Sequence, residues 1–318
     1  MINGAELLIL ILVLALALDI FAGEPPDKVH PVVIMGKSIS GFEPYFMKFK
    51  NRILSGCLFL ISVILVNTLP VIILLYVLYR PEEIVFLIIF IIIYAYFLKN
   101  TFSINSMGKH IKRIITSLEN GDMDSARKHT SMVVRRPTGK MDLHSMASAS
   151  IETIAEGFVD GYLTPLFFFA FFGLAGALIA RSVNTMDSNV AYRDTRHYEI
   201  GRCTAIGDSI INFFSSRMVP VIFRVSALLL GYRSKKIRIV NTTDSLNAGY
   251  SIGAMASLLG VSLEKKGEYI TNSQGRQPEI EDITKAMNIY YLSSVIFLIL
   301  FVIPVIVILF ILHILIIL

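Results

Sequence analysis

Three carboxylates at regular spacing form the sharpest chemical pattern in this sequence of 318 residues. Glu152, Glu156 and Asp160 recur at every fourth position, so on a helix they fall on one face. Like charges stacked in this way destabilise a helix unless a cation meets them. A helix face that is exposed to water is the alternative, and it would explain the spacing without any binding site. The adjoining apolar segment, which begins at Tyr162, favours a site for Mg²⁺ or a substrate amine.

A second polar pattern spans residues 181 to 194 and directly follows an apolar segment. Half of its residues are Arg, Asn, Asp or Tyr, and it lacks the Gly, Pro and Lys of a generic polar loop. Its arginines suit bidentate binding of phosphate or carboxylate groups. A loop that anchors at lipid headgroups is the alternative. The candidate binding residues in this pattern are Arg181, Asn184, Asp187, Asn189 and Arg193.

Two further patterns carry single polar residues beside apolar segments. Asp19 ends the first apolar segment, where a carboxylate is costly unless it is paired. A Gly-Glu-Pro-Pro stretch and His30 follow it. A lone histidine is more often structural than catalytic, and His30 is retained as a candidate for substrate binding. Asn247 precedes a segment rich in small residues, and it is expected to cap that helix.

The elements that position these residues are mostly apolar. Hydrophobic residues make up 54% of the chain and charged residues 17%, against about 25% in soluble proteins. This excludes a soluble enzyme, a disordered chain and a disulfide scaffold. Only two cysteines occur, Cys57 and Cys203, and their spacing indicates neither a disulfide framework nor a zinc site. Six membrane segments are predicted, at residues 5–22, 53–79, 84–98, 162–180, 218–232 and 286–318.

The polar regions set the expected topology. They comprise residues 23–52, 99–161, 181–217 and 233–285. Residues 5–22 could mimic a signal peptide, but no basic residue precedes them, so we predict a retained helix. Basic residues place 23–52 and 99–161 in the cytoplasm. Segments 162–180 and 218–232 either span the membrane or are re-entrant or buried broken helices, and their Pro, Gly and Arg residues favour the latter.

The predicted fold is therefore all-α: a single polytopic integral membrane helical bundle over residues 1–318, with cytoplasmic helical loops and broken helices. No Walker-type loop, dinucleotide-binding glycine motif, metalloprotease motif or nucleophile elbow is present. Any use of ATP would thus proceed without a Walker loop. The net charge of +5 is explained by cytoplasmic loops, so it gives no reason to invoke nucleic acid.

Taken in order, these patterns resemble the CobD/CbiB family of cobalamin biosynthesis, the adenosylcobinamide-phosphate synthases. The resemblance covers most of the chain and includes the stretches GDMDSAR, EGFVDGYLTPLF, ARSVNTMDSNVAYR and NAGYSIGAMASLLGVSL. One departure lies at Arg135-Arg136-Pro137-Thr138, where the family pattern leads us to expect Gly-Arg-Asp-Thr. Because Pro137 removes a carboxylate, it leaves open the role of this loop and the selectivity for the amine.

The resemblance implies a multi-pass cell-membrane enzyme with its active site on the cytoplasmic face. It would join adenosylcobyric acid to (R)-1-aminopropan-2-ol phosphate, or a related aminoalcohol, with ATP and Mg²⁺. Implied partners are these substrates, membrane lipid, and either a second copy of the chain or other corrinoid-pathway enzymes, with no nucleic acid. The implied catalytic residues are Glu152, Glu156, Asp160 and Asp187, of which Glu156, Asp160 and Asp187 are the candidate Mg²⁺ ligands. The implied substrate-binding residues are His30, Arg181, Asn184, Asn189, Arg193 and Asn247, with the arginines on phosphate and the asparagines on corrinoid side chains.

Two other functions are weighed against this one. A membrane transporter of a polar or corrinoid-like solute would carry polar residues inside long helices, whereas here they cluster at the ends of apolar segments and in hydrophilic regions. A lipid-headgroup transferase would show the spaced DG…AR…G…D…D signature of the CDP-alcohol transferases, which is missing. The sequence favours the ligase.

Overall fold

The structure is a computed structural model that describes residues 3–190, 195–232, 237 and 245–314. The described residues form helices, joined by one short antiparallel hairpin. The first helices are α1 (Gly4–Phe21), α2 (Pro31–Phe46), α3 (Arg52–Leu78), α4 (Ile84–Lys99), α5 (Asn105–Glu119) and α6 (Met123–Ser131). The later elements are α7 (Leu143–Phe158), α8 (Thr164–Val190), α9 (Thr195–Leu229), α10 (Ala248–Leu259), β1 (Leu263–Lys265), β2 (Tyr269–Thr271), α11 (Ile280–Phe297) and α12 (Ile303–Ile311).

Apolar length identifies the membrane-crossing elements. Five helical stretches of the described chain are long and apolar enough to span a bilayer: Gly4–Phe21, Arg52–Leu78, Leu143–Val190, Tyr198–Leu229 and Ile280–Ile311. Two apolar helices are shorter, Ile84–Lys99 and Ala248–Leu259. The prediction of an all-α polytopic membrane bundle is confirmed, and the chain is a multi-pass membrane protein.

The prediction of a broken helix in segment 162–180 is confirmed at Gly173. There α8 leaves helical geometry, with φ of 60° and ψ of −154°, in the left-handed half of the backbone map that glycine enters without a steric penalty. The break releases the backbone N–H of Leu174, which donates to the hydroxyl of Tyr94 at 2.9 Å. A buried hydroxyl from α4 thus replaces the helical carbonyl, as irregular backbone at membrane depth requires.

Most of residues 181 to 217, which were predicted as a polar region between two membrane segments, lie within helices α8 and α9. Residues up to Val190 continue α8, and α9 runs from Thr195 to Leu229. The predicted short segment 218–232 is therefore largely the second half of a 35-residue helix, within a stretch long and apolar enough to span the membrane, so the preference for a re-entrant or broken helix was wrong there. The sequence suggested a boundary because polar residues dominate the first half of α9, and polarity alone does not end a helix.

Two compact units divide the described chain. The first contains residues up to Ser103, Thr164–Ile211 and the chain from Phe301 onwards. Within it α1 packs against α4 and α12, while α3 packs against α2, α4 and α8. Its core includes Ile39, Phe59, Val63, Met186, Val190 and Ile200.

A disulfide joins α3 to α9 within the first unit. Cys57 and Cys203 are bonded, with their Cα atoms 5.4 Å apart. The neighbouring Gly56 lies directly against the carbonyl of Ile200, where a side chain would clash with backbone. The expectation of no disulfide was wrong, because the two cysteines are 146 residues apart in the sequence and only the packing of the two helices brings them together.

A buried ion pair joins α1 to α4 in the same unit. The ammonium of Lys99 lies 3.8 Å from a carboxylate oxygen of Asp19 and 2.7 Å from one of Glu24. Burial favours the neutral form of Glu24, but the hydrogen bond and charge of Lys99, together with His30, outweigh it and lower the pKa of this carboxyl. Asp19 is thus paired, as its position requires. The chain leaving α1 and the chain leaving α4 consequently lie side by side.

The second unit contains Ile104–Leu163 and Asn212–Leu300. Here α7 packs against α6, α10, α11 and β1. Aromatic rings fill its centre: the ring of Phe158 lies 4.9 Å from that of Phe223 and 5.6 Å from that of Tyr290. Asp122 caps α6 by accepting from the Ser125 amide at 3.0 Å. This unit holds the three spaced carboxylates.

Candidate functional site

Helix α7 carries Glu152 and Glu156 one turn apart. It begins cleanly because the side chain of Asp142 accepts from the Ser145 amide at 2.8 Å. Small and apolar residues then bury one side of the helix against α10 and α11. Glu152 faces inward and Glu156 is exposed. The two carboxylates therefore meet different surroundings, although they are neighbours on one helix.

Glu152 is held by a set of hydrogen bonds. Arg136 donates to one of its oxygens at 2.9 Å, and the Ser148 hydroxyl donates to the other at 2.9 Å. Tyr269 adds a longer contact of 3.4 Å. Because a buried carboxylate is stable only when it is paired and hydrogen-bonded, this arrangement explains how Glu152 is accommodated. The Glu152 side chain is therefore fixed by contacts within the protein.

Glu156 has a different environment. Its side chain is exposed, and the cations acting on it are Lys265, Arg136 and Arg135. Together with Glu152 and with Glu268, which pairs with Lys265 at 2.6 Å, the cluster contains three carboxylates and three cations. Both signs of charge therefore surround an accessible carboxylate, which suits an amine and an anion bound side by side.

The β1–β2 hairpin closes one side of this cluster. The backbone amide of Glu264 donates to the Ser148 hydroxyl at 2.9 Å, and Arg136 donates to the Glu264 carbonyl at 3.3 Å. Burial, reinforced by the charges of Glu152 and Glu156, raises the pKa of Tyr269. Its phenol therefore stays protonated and can donate to Glu152.

The hairpin residues and Arg136 were missed by the sequence analysis as partners of the carboxylates. Tyr269 and Lys265 lie more than a hundred residues from Glu152, and no local spacing reveals them. Arg136 offered one signal, because it sits in the loop where the sequence departs from the CobD/CbiB pattern. The departure at Pro137 thus lies next to the residue that pairs with Glu152.

Asp160 is placed by irregular backbone. Helix α7 ends at Phe158, and Val159–Leu163 form a π-helical turn. The regular spacing that predicts a shared face therefore holds for Glu152 and Glu156 and stops before Asp160, which is half-buried. Such π-helical turns occur often at functional sites. Among residues 3–190, 195–232 and 245–314, no three His, Cys, Asp or Glu side chains are grouped to hold a metal ion.

The predicted phosphate-binding residues lie on α8, in the first unit. Arg181, Asn184 and Asp187 recur every third residue and are half-buried, so they occupy one side of a helix instead of a loop. The amide of Asn189 donates to the Thr185 carbonyl within the same helix at 2.7 Å. Arg193 lies outside the described residues. The substrate-binding roles of these residues stay predictions.

His30 and Asn247 occupy helix starts. His30 begins α2: its Nδ1 accepts from the Val32 amide at 3.2 Å, and its Nε2 lies 3.0 Å from Glu24. Asn247 precedes α10, but the expected side-chain cap is absent. Its Oδ1 instead accepts from Arg217 and the Ser216 hydroxyl, each at 3.2 Å. The capping prediction was wrong because a neighbouring helix offers stronger donors than the local backbone.

Removing the cation from Glu152 should weaken the second unit. We expect Arg136→Met to lower the free energy of unfolding by about 1.5–3 kcal/mol, because a buried carboxylate loses a charged hydrogen bond. Thermal unfolding in detergent measures this change. The matched control is Arg113→Met, since Arg113 is exposed. Combining Arg136→Met with Glu152→Gln should recover most of the loss, and a double variant as unstable as the single one would contradict the assigned pairing.

The fold and the charged cluster define a class: a multi-pass helical membrane protein with an accessible carboxylate set among cations. Comparison with known proteins makes the class specific. The model of the family described as CobD/Cbib protein matches residues 12–299. The chain therefore belongs to the CobD/CbiB family, and with it to cobalamin biosynthesis.

Relatives named "probable cobalamin biosynthesis protein CobD" agree with this membership. The protein of Thermoplasma volcanium is 46% identical over 94% of this chain and 98% of its own length. That of Thermoplasma acidophilum is 43% identical over the same shares, and that of Thermococcus kodakarensis is 36% identical over 88% and 90%. No solved structure matches.

Proposed function

We propose that the chain is an ATP-dependent ligase that forms the amide between adenosylcobyric acid and (R)-1-aminopropan-2-ol phosphate, or a related aminoalcohol. The observation that carries the proposal is Glu156, an accessible carboxylate beside Lys265, Arg136 and Arg135. Membership in a cobalamin biosynthesis family supplies the corrinoid context. Amide formation requires cations that offset phosphate charge and a carboxylate that binds the amine, and the two kinds of group must lie close together.

The proposed reaction has two steps. A corrinoid carboxylate oxygen attacks the γ-phosphorus of ATP, so that an acyl phosphate forms and ADP leaves. The amine, after losing a proton, attacks the acyl carbon, and phosphate leaves with the oxygen that came from the carboxylate. The first step gathers negative charge and the second needs a base, because an ammonium is not a nucleophile.

The residues of the second unit match these needs. Glu156 would bind the incoming ammonium and accept its proton. Arg135, Arg136 and Lys265 would offset the charge of the transferred phosphoryl group. Glu152, already held by Arg136 and Ser148, would keep Arg136 in place. Each role uses a contact or charge that exists before substrate binds.

Magnesium fits this arrangement in one way. The ion is usually held by one or two carboxylates together with substrate phosphates, so it needs no set of three protein ligands. Glu156 is the accessible carboxylate that would contribute, and Asp160 and Asp187 stay candidates. When bound, the ion would neutralise phosphate charge.

The remaining candidates would bind substrate groups. Arg181 and Arg193 are proposed for phosphate, and Asn184 and Asn189 for corrinoid side chains. The site is proposed to open on the cytoplasmic face, since the adjoining residues 99 to 161 carry nine basic residues.

The purified protein in detergent provides the test. Given corrinoid acid, aminoalcohol phosphate and Mg-ATP, it should release phosphate only when all three are present, with an amide product detected by mass spectrometry. Phosphate release that ignores the corrinoid would contradict the proposal. So would solute uptake into sealed vesicles without ATP cleavage, which is the behaviour of a transporter.

A further inference from the structure

Arg217 lies near the middle of an apolar helical stretch, in the part of α9 that belongs to the second unit. Arg217 belongs to the span Tyr198–Leu229, about 18 Å from its C-terminal end at 1.5 Å per residue. That distance exceeds half of the roughly 30 Å hydrocarbon core of a bilayer. Charged residues in such places usually face a protein interior or a cavity and mark a ligand pathway.

The guanidinium of Arg217 contacts two aromatic rings and three oxygen acceptors. Its carbon lies 3.5 Å from the ring centroid of Phe213 and 4.6 Å from that of Tyr250. Nη1 donates to the Phe213 carbonyl at 2.6 Å and to Asn247 at 3.2 Å, with Ser216 at 3.4 Å. The two aromatic rings and the hydrogen bonds of Nη1 together fix the plane and the direction of the guanidinium.

None of these contacts neutralises the charge. Within the described part of the chain, no carboxylate lies at salt-bridge distance from Arg217. Every hydrogen bond also uses the same nitrogen, Nη1. The edge formed by Nε and Nη2 therefore keeps its donors, and this edge matches the two oxygens of an oxyanion.

Asn247 gives a second indication that the position of Arg217 matters. An asparagine before a helix usually caps it through its own side chain. Here the buried side chain of Asn247 is turned to Arg217 and Ser216 instead. The Ser245 hydroxyl accepts from the amides of Asn247 and Ala248 at the start of α10, each at 3.3 Å, so the Asn247 side chain can hold Arg217.

We propose that Arg217, positioned by Asn247, Phe213 and Tyr250, binds a phosphate group of a substrate. The inference rests on the proposed function, which requires two phosphate-bearing ligands, the aminoalcohol phosphate and ATP. Both present the same chemistry to the free edge of the guanidinium. Arg217 lies in the same unit as Glu156, and α10, which follows Asn247, packs against α7.

Equilibrium binding separates the two sources without depending on turnover. The probes are 1-aminopropan-2-ol phosphate, ATP and unphosphorylated 1-aminopropan-2-ol, each titrated into the purified wild-type protein and variants by calorimetry. Arg217→Gln should weaken binding of one phosphate ligand about 10- to 100-fold, the loss expected for a charged hydrogen bond, and leave the unphosphorylated amine unchanged. The ligand that loses affinity identifies the phosphate source.

Two further variants control the experiment. Arg224→Gln removes an exposed arginine about one turn and a half from the end of the same helix, where it can reach the membrane surface, and should change each affinity less than twofold. Arg217→Lys keeps the charge without the planar fork and should give an intermediate loss if Arg217→Gln does not fold.

Any of three results overturns the proposal. The first is that folded Arg217→Gln or Arg217→Lys binds both phosphate ligands as tightly as wild type. The others are that the variant loses affinity equally for all three probes and that wild type binds neither phosphate ligand. Absence of amide formation with intact, Arg217-dependent phosphate binding would instead contradict the proposed function alone.

Discussion

Glu156→Gln is expected to lower the rate of corrinoid amidation by about 10²- to 10⁴-fold, the usual contribution of a general acid–base group. The substitution preserves the shape of the side chain and removes its charge and its ability to take a proton. Because Glu156 is exposed, the variant should reach the same yield in the membrane and unfold at the same temperature as wild type. Single-turnover formation of the amide measures the effect.

A matched control uses a glutamate of the same unit that lies away from the cluster. Glu281 is exposed and pairs with Lys285 one turn along α11, so Glu281→Gln should leave the rate within about twofold of wild type. An amidation rate for Glu156→Gln equal to that of Glu281→Gln would remove Glu156 from the proposed chemistry.

Lys99→Met should produce the largest loss of stability. The Lys99 and Asp19 side chains are 3% and 0% exposed, and breaking a buried pair of this kind costs about 3–5 kcal/mol. We expect the thermal midpoint in detergent to fall by roughly 5–15 °C. The physical cause is the loss of the ammonium that pairs with the buried Asp19 carboxylate between α1 and α4.

The control and the rescue distinguish charge from packing. Lys112 is an exposed lysine on α5, and Lys112→Met should shift the midpoint little. Adding Asp19→Asn to Lys99→Met removes both charges and should recover part of the loss. A double variant no more stable than Lys99→Met would contradict the assigned pairing of Lys99 with Asp19.

Sequence reasoning located the apolar helices because their signal is local. The predicted segments 53–79 and 84–98 agree within a residue or so with α3 and α4, since long apolar runs leave no alternative to helices in a membrane. The helix break was also foreseeable from Gly173 and the neighbouring residues. The extension of α8 and α9 was not, because their polar halves carry the composition of a connecting region.

The candidate site shows the same limit. The spacing of Glu152 and Glu156 indicated a carboxylate pair that needs a cation, and a cation is present. The identity of the cation depends on how the hairpin and the loop at Arg136 pack on α7. Such contacts join residues far apart in the sequence, so no local spacing reveals them. The disulfide between Cys57 and Cys203 was missed for the same reason.

Oxygen-isotope transfer tests the proposed ligase chemistry most directly. The corrinoid acid is labelled with ¹⁸O in its reacting carboxylate and incubated with the purified protein, aminoalcohol phosphate and Mg-ATP. Activation as an acyl phosphate predicts one ¹⁸O atom in each phosphate released, in step with amide formation. Amide formed with unlabelled phosphate, with the label in AMP, or without ATP would contradict the proposed mechanism.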